Sequence, residues 1–96
     1  MMAPAALADL RGIRRHIAQT SAYHAKAFLT ELTAKIAWIA EVDFTGVPRD
    51  HILEGLRALP FRQRCIYYRS YADRIVVLRV LHGAQDVEKQ QFDRGD

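Results

Sequence analysis

The run Arg74-Ile75-Val76-Val77-Leu78-Arg79-Val80-Leu81-His82 carries the strongest strand signal in the chain. Branched and aliphatic side chains fill it without a Gly or Pro, a composition that fits a pleated, buried backbone. Alternation places Val76, Leu78 and Val80 on one face and Ile75, Val77, Arg79 and Leu81 on the other. Apolar residues on both faces predict a central strand, with Arg79 on the less buried side. Reading back from it, Ser70 to Asp73 is a turn, and Arg64-Cys65-Ile66-Tyr67-Tyr68-Arg69 is a second strand rich in aromatic and branched residues. Gly55 to Leu59 is a third, ended by Pro60, which suits a strand end or an edge. Strands are therefore expected over residues 55–59, 64–69 and 74–82.

The residues before Asp43 repeat at a different period. Pro4 suits a first helical position, where its missing N–H would be unpaired anyway. Leu7, Leu10, Ile13 and Ile17 then recur at steps of three and four. Thr20-Ser21 breaks this helix and supplies a cap for the next. There Ala25, Phe28, Leu29, Leu32, Ile36 and Ile39 form one apolar stripe. Helices are expected over residues 4–19 and 21–41, and so short a link folds them into an antiparallel hairpin. Trp38 lies off the stripe, either as a rim residue of the core or as part of a contact surface. From Asp43 to Glu54 the periodicity stops, and Gly46, Pro48 and Asp50 mark a loop that Ile52 and Leu53 pin to the core. The expected fold is α+β: an N-terminal antiparallel helical hairpin covering the Val76/Leu78/Val80 face of a small antiparallel sheet of three strands. One domain is expected over residues 1–96, with residues 83–96 as a tail.

Composition excludes several classes. Half of the 96 residues are hydrophobic and 26% are charged, too apolar for intrinsic disorder. No apolar run approaches the roughly 18 residues of a membrane span. Met1-Met2-Ala3-Pro4 lacks a basic and an apolar leader region, so the cytoplasm is the expected location. The single Cys65 forbids an internal disulfide and a multi-thiolate zinc site.

Charge is uneven. Residues 1–54 carry six basic and six acidic side chains, whereas residues 55–82 carry Arg57, Arg62, Arg64, Arg69, Arg74 and Arg79 against Asp73 alone. Residues 83–96 return to a net negative charge. The arginine-rich segment favours an acidic partner, whether peptide or nucleic-acid backbone.

Catalytic constellations are sparse. His16, His24, His51 and His82 show no metal-ligand spacing, so no metal or other cofactor is expected. Ser21 and Ser70 lack a nucleophile-elbow setting, and no Gly-rich phosphate loop occurs. Cys65 in mid-strand reads as a small core hydrophobe. One chemistry survives: Arg69, Arg79 and His82, near Tyr67 and Tyr68, can hold a phosphate and move a proton to cleave RNA through its 2′-hydroxyl. Alternatively Arg79 pairs with Asp73 or Asp86 and His82 simply ends the strand, which the residues alone favour.

Pro4-Ala5-Ala6-Leu7-Ala8-Asp9-Leu10 with Ile13 and His16-Ile17-Ala18 resembles the first helix of the ParE branch of the RelE/ParE toxin superfamily. Gly46-Val47-Pro48-Arg49 and Gly55-Leu56-Arg57 match the loop leading into its sheet. Tyr67-Tyr68-Arg69 and Ile75 through Asp86 resemble its closing strands and its RVLHGARD ending, with Gln85 where Arg is usual. The likeness covers residues 4–86, and its C-terminal motif is the most specific part. The family fold is β-α-α-β-β-β. Only Met1-Met2-Ala3 precede Pro4 here, so the family's first strand is expected to be missing or vestigial, leaving an edge that invites a partner strand.

The resemblance implies the toxin of a type II toxin–antitoxin pair, with DNA gyrase as its target and no catalysis of its own. The alternative is a ribosome-dependent mRNA endoribonuclease of the RelE type, for which Glu54, Arg69, Arg79 and His82 are the candidate residues. The implied partner is a ParD-like antitoxin with a ribbon-helix-helix N-terminus and a C-terminal part that wraps the toxin in a hetero-oligomer. DNA is then met only through the antitoxin, and no membrane is involved. Trp38, Tyr67, Arg69, Arg79 and Leu81 are the candidate antitoxin contacts.

Overall fold

The structure, a computed structural model, describes residues 1–82 and residue 92. Its elements are α1 (Pro4–Ala18), α2 (Ala22–Val42), β1 (Val47–Pro48), β2 (Leu56–Phe61), β3 (Arg64–Ser70) and β4 (Ile75–His82). The strands form one antiparallel sheet in the order β1-β2-β3-β4, so the α+β class stands with four strands rather than three. Apart from Phe92, the expected tail over 83–96 lies outside the described residues, as do Gly83 to Asp86 of the closing motif.

Helix α1 starts at Pro4 behind an extended Ala3 and carries Arg15 and His16 in its last turn, where cations complement the helix dipole. Its buried face runs through Ala6, Leu10, Ile13 and Ile17. Leu7, expected on that stripe, is 43% exposed instead. It stands one position, about 100°, around the helix from Ala6. Helix α2 is capped by Ser21, whose Oγ accepts the His24 N–H at 3.2 Å. Leu32 and Ile39 sink completely into the core beside Phe28, Leu29 and Ile36.

Gly12 sits in the middle of α1, and a Cβ built there would meet nothing within 4 Å. Packing gives no reason for a glycine in a helix interior. Gly12→Ala is expected to stabilise the free protein by about 1 kcal/mol, seen as a higher denaturant midpoint with an unchanged slope.

The sheet departs from simple alternation at one place. Tyr67 faces Arg79 and Tyr68 faces Val77, so a β-bulge leaves Leu78 as the extra residue of β4. The phase of β4 shifts there. Ile75, Val77 and Val80 join the helix-covered core with Ile66 and Tyr68. Val76, Leu78 and Leu81 lie in a second cluster with Leu56, Ala58 and Tyr67 on the opposite face. The expected Val76/Leu78/Val80 face is therefore split between the two sides. Two short apolar covers, Ile52-Leu53 and Phe92, pack on the second cluster.

Nor is β4 a central strand, since it ends the sheet order. Its outer edge is nevertheless occupied. Met2 bridges Val77 in parallel, with the Val77 N–H donating to the Met1 carbonyl and the Ala3 N–H to the Val77 carbonyl, both at 2.9 Å. The strand expected to be missing or vestigial is thus present as one bridge. Further along, the Val80 N–H donates to Asp9 Oδ2 of α1 at 3.0 Å. The edge expected to invite a partner strand is largely satisfied from within.

At the other edge, Val47 and Pro48, expected as loop, pair with Ala58 and Arg57 as the short strand β1. Its brevity and its proline blunt that edge. Gly46 before it has φ +69°, and a Cβ there would collide with the Tyr68 hydroxyl. That hydroxyl donates to the Phe44 carbonyl at 2.8 Å and ties the end of the α2–β1 connection to the sheet.

Candidate functional site

The arginine-rich strands are less basic than their sequence. Arg79 forms a two-point ion pair with Asp9 of α1, Nε to Oδ2 at 2.7 Å and Nη2 to Oδ1 at 2.9 Å, with both side chains mostly buried. Arg62 pairs with Glu31 of α2, Arg74 with Asp73 at 3.0 Å, and Arg57 more loosely with Asp50 at 3.9 Å. Asp9, Glu31 and Asp50 come from the electrically balanced first half of the chain. They leave the cations of the helices uncompensated.

The nuclease candidates are not brought together. The Arg69 side chain lies beside Gly55, and Glu54 precedes that glycine as an exposed turn residue. His82 stands opposite Arg64, five residues along β3 from Arg69, or roughly 17 Å at the usual strand rise. Arg79 lies between and is engaged by Asp9, while Asp73 pairs with Arg74 and Asp86 lies outside the described residues. Among the described residues no group of three or more His, Cys, Asp or Glu is placed to hold a metal ion.

The antitoxin-contact candidates fall on two layers. Trp38 is 37% exposed on α2, packed on Phe44 and covered by the Lys35 ammonium at 4.4 Å. Tyr67 and Leu81 belong to the outer-face cluster, 8% and 2% exposed, with Phe92 edge-on to Tyr67. Arg69 stacks over Tyr71 near the same face. Burial pushes the Tyr67 phenol up to about 12, with Cys65 adding to the shift, and burial likewise raises Cys65 and Tyr68. A thiol so shifted is a poor nucleophile at neutral pH.

A phenol whose folded-state value is raised favours the protonated fold. Its stabilising effect is complete below the unfolded value of about 10 and is lost as pH rises toward about 12. Denaturant midpoints should therefore fall in that alkaline window, and Tyr67→Phe should remove part of the fall.

A candidate surface that the sequence did not single out lies between the helices. A groove of about 550 Å³ runs along the α1–α2 hairpin. Ala18, Ala22, Ala25 and Leu29 floor it, and Arg14, Arg15 and Lys26 rim it. Thr30 and Thr33, also on its wall, return their hydroxyls to the Lys26 and Leu29 carbonyls and so present methyl groups rather than free donors. Among the described residues the three cations have no ion-pair partner. An apolar floor under three unpaired cations fits an amphipathic segment with acidic residues along its flanks. The signal was present in sequence as three alanines at the helical turn bracketed by Arg14-Arg15 and Lys26. It was outweighed by the denser charge of the strands.

No helix among the described residues is long and apolar enough to cross a membrane. No curated protein matches the chain. A family model does, over residues 1–87, a span that takes in both helices, all four strands and the Met2 bridge. With that match across nearly its whole length, the chain belongs to the family of the ParE toxin of the type II toxin–antitoxin system parDE.

Proposed function

We propose that this toxin stops growth in the cytoplasm by inhibiting DNA gyrase through docking, and that a ParD-like antitoxin silences it by seating an acidic amphipathic helix in the α1–α2 groove. The observation that carries the antitoxin half is the groove itself, with Arg14, Arg15 and Lys26 unpaired above an alanine-rich floor. Apolar anchors in the floor supply affinity, roughly 1.5–3 kcal/mol for each large side chain fully buried, while the rim cations steer and orient the partner. Trp38, exposed on α2, extends that surface. Arg69 engages the wrapping remainder of the antitoxin on the sheet, and the buried Tyr67 and Leu81 join it only where the antitoxin displaces the cover of that face. Arg79, held by Asp9, keeps a structural task.

Docking without chemistry is supported by the separation of Glu54 and Arg69 from His82 and by the engagement of Arg79. The complex is a hetero-oligomer that meets DNA through the ribbon-helix-helix half of the antitoxin. Induction of the chain alone should arrest growth, and co-production of the antitoxin encoded beside it should restore growth. Absence of arrest, or arrest indifferent to the antitoxin, would refute the proposal.

A further inference from the structure

A second recess flanks α1 on its other side. It has a volume of about 240 Å³ and is bounded by Gly12 and His16 of α1, Arg64 of β3, and Val80 and His82 of β4. Arg64 is half-buried, stacked over Phe28 at 5.2 Å. Among the described residues it has no carboxylate partner. Removing a guanidinium from water without a counter-charge weakens a fold. Asp9 reaches the same recess, but both of its oxygens are already used by Arg79 and the Val80 N–H.

The glycine on the opposite wall is a second local cost without a local reason, because nothing occupies the space a side chain would fill. Two choices that disfavour the free protein thus converge on one recess, the pattern expected where sequence serves a contact rather than the fold. A missing Cβ lets another backbone pass close to the helix. The guanidinium beside it offers planar, two-point donation to a carboxylate.

We infer that this recess receives an Asp or Glu side chain of the antitoxin, with Arg64 as its anchor and the bare Gly12 backbone as the passage for the antitoxin chain. The inference rests on the antitoxin reading above and adds a second contact to it. Together with the groove between the helices, it makes α1 a ridge gripped from both sides, with the exposed Arg11 and Arg15 along it.

The test uses full-length toxin and the full-length antitoxin encoded beside it, with binding followed by calorimetry and folding by thermal melts. Arg64→Gln and Gly12→Leu should each weaken binding by at least about tenfold while still melting cooperatively. Gly12→Ala, which adds only the Cβ that the passage excludes, should melt higher than the parent yet bind the antitoxin more weakly than it, so stability and affinity part company. Affinity within twofold of the parent for both Arg64→Gln and Gly12→Leu overturns the inference, and so does unchanged antitoxin affinity accompanied by lost retention of a short single-stranded RNA. Failure of the parent toxin itself to bind would instead overturn the antitoxin reading, and this contact with it.

Discussion

Replacing Asp9 by Ala is expected to cost about 3–5 kcal/mol, the usual loss when one partner of a buried ion pair is removed. The carboxylate does two jobs. It neutralises Arg79 through two short hydrogen bonds, and it accepts the Val80 N–H on the open side of β4. Deleting it takes the two-point ion pair from a mostly buried guanidinium and the acceptor from the Val80 N–H. Against a total of roughly 5–15 kcal/mol for a small domain, that loss threatens folding at growth temperature.

Asp9→Asn should cost less, because an amide oxygen still serves the Val80 N–H. The double variant Asp9→Ala with Arg79→Ala should be more stable than the sum of the single variants implies, since the ion pair they share is lost only once. Denaturant midpoints of the four proteins give the coupling. Strict additivity would show that the pair contributes nothing to the joint between α1 and the sheet.

The second large effect is on binding. Arg14→Glu with Arg15→Glu should weaken antitoxin affinity by about a hundredfold or more, as expected when attraction at a complementary interface becomes like-charge repulsion. Both side chains are exposed on α1 and have no ion-pair partner among the described residues. The variant should therefore melt close to the parent, which separates lost binding from lost folding. Reversing Arg69 and Arg79, as the sequence alone suggests, is a poorer experiment. A glutamate at 79 would confront Asp9, and any lost binding would report a damaged fold. Calorimetric affinity within twofold of the parent for the Arg14/Arg15 variant would remove the groove from the interface.

Strong periodic signals made most of the architecture legible. The expected helices over 4–19 and 21–41 compare with Pro4–Ala18 and Ala22–Val42, and the expected strands over 55–59, 64–69 and 74–82 overlap Leu56–Phe61, Arg64–Ser70 and Ile75–His82. What escaped was tertiary. The bulge opposite Tyr67 has no local marker, because a register slip depends on two strands at once, and it redistributes Val76, Leu78 and Val80 between faces. A two-residue strand ending in proline, Val47–Pro48, offers no alternation to read.

The ion pairs of the arginine-rich segment escaped the sequence for a related reason. Segment-by-segment balance treats residues 55–82 as a free basic block, whereas Asp9 and Glu31 reach it from far away in sequence and Asp50 from just before it. Asp9, which pairs with Arg79, lies seventy positions from it, beyond any spacing rule. Arg14, Arg15 and Lys26, which have no ion-pair partner among the described residues, lie on the helices, where sequence balance looked neutral.

In the proposed mode of action this toxin docks on gyrase and is released from the task by its antitoxin. Purified gyrase supercoiling a relaxed plasmid tests it most directly. Added toxin should block supercoiling, and antitoxin titrated to equivalence should restore it. Undisturbed supercoiling at saturating toxin, together with cleavage of mRNA in a translating extract, would contradict it.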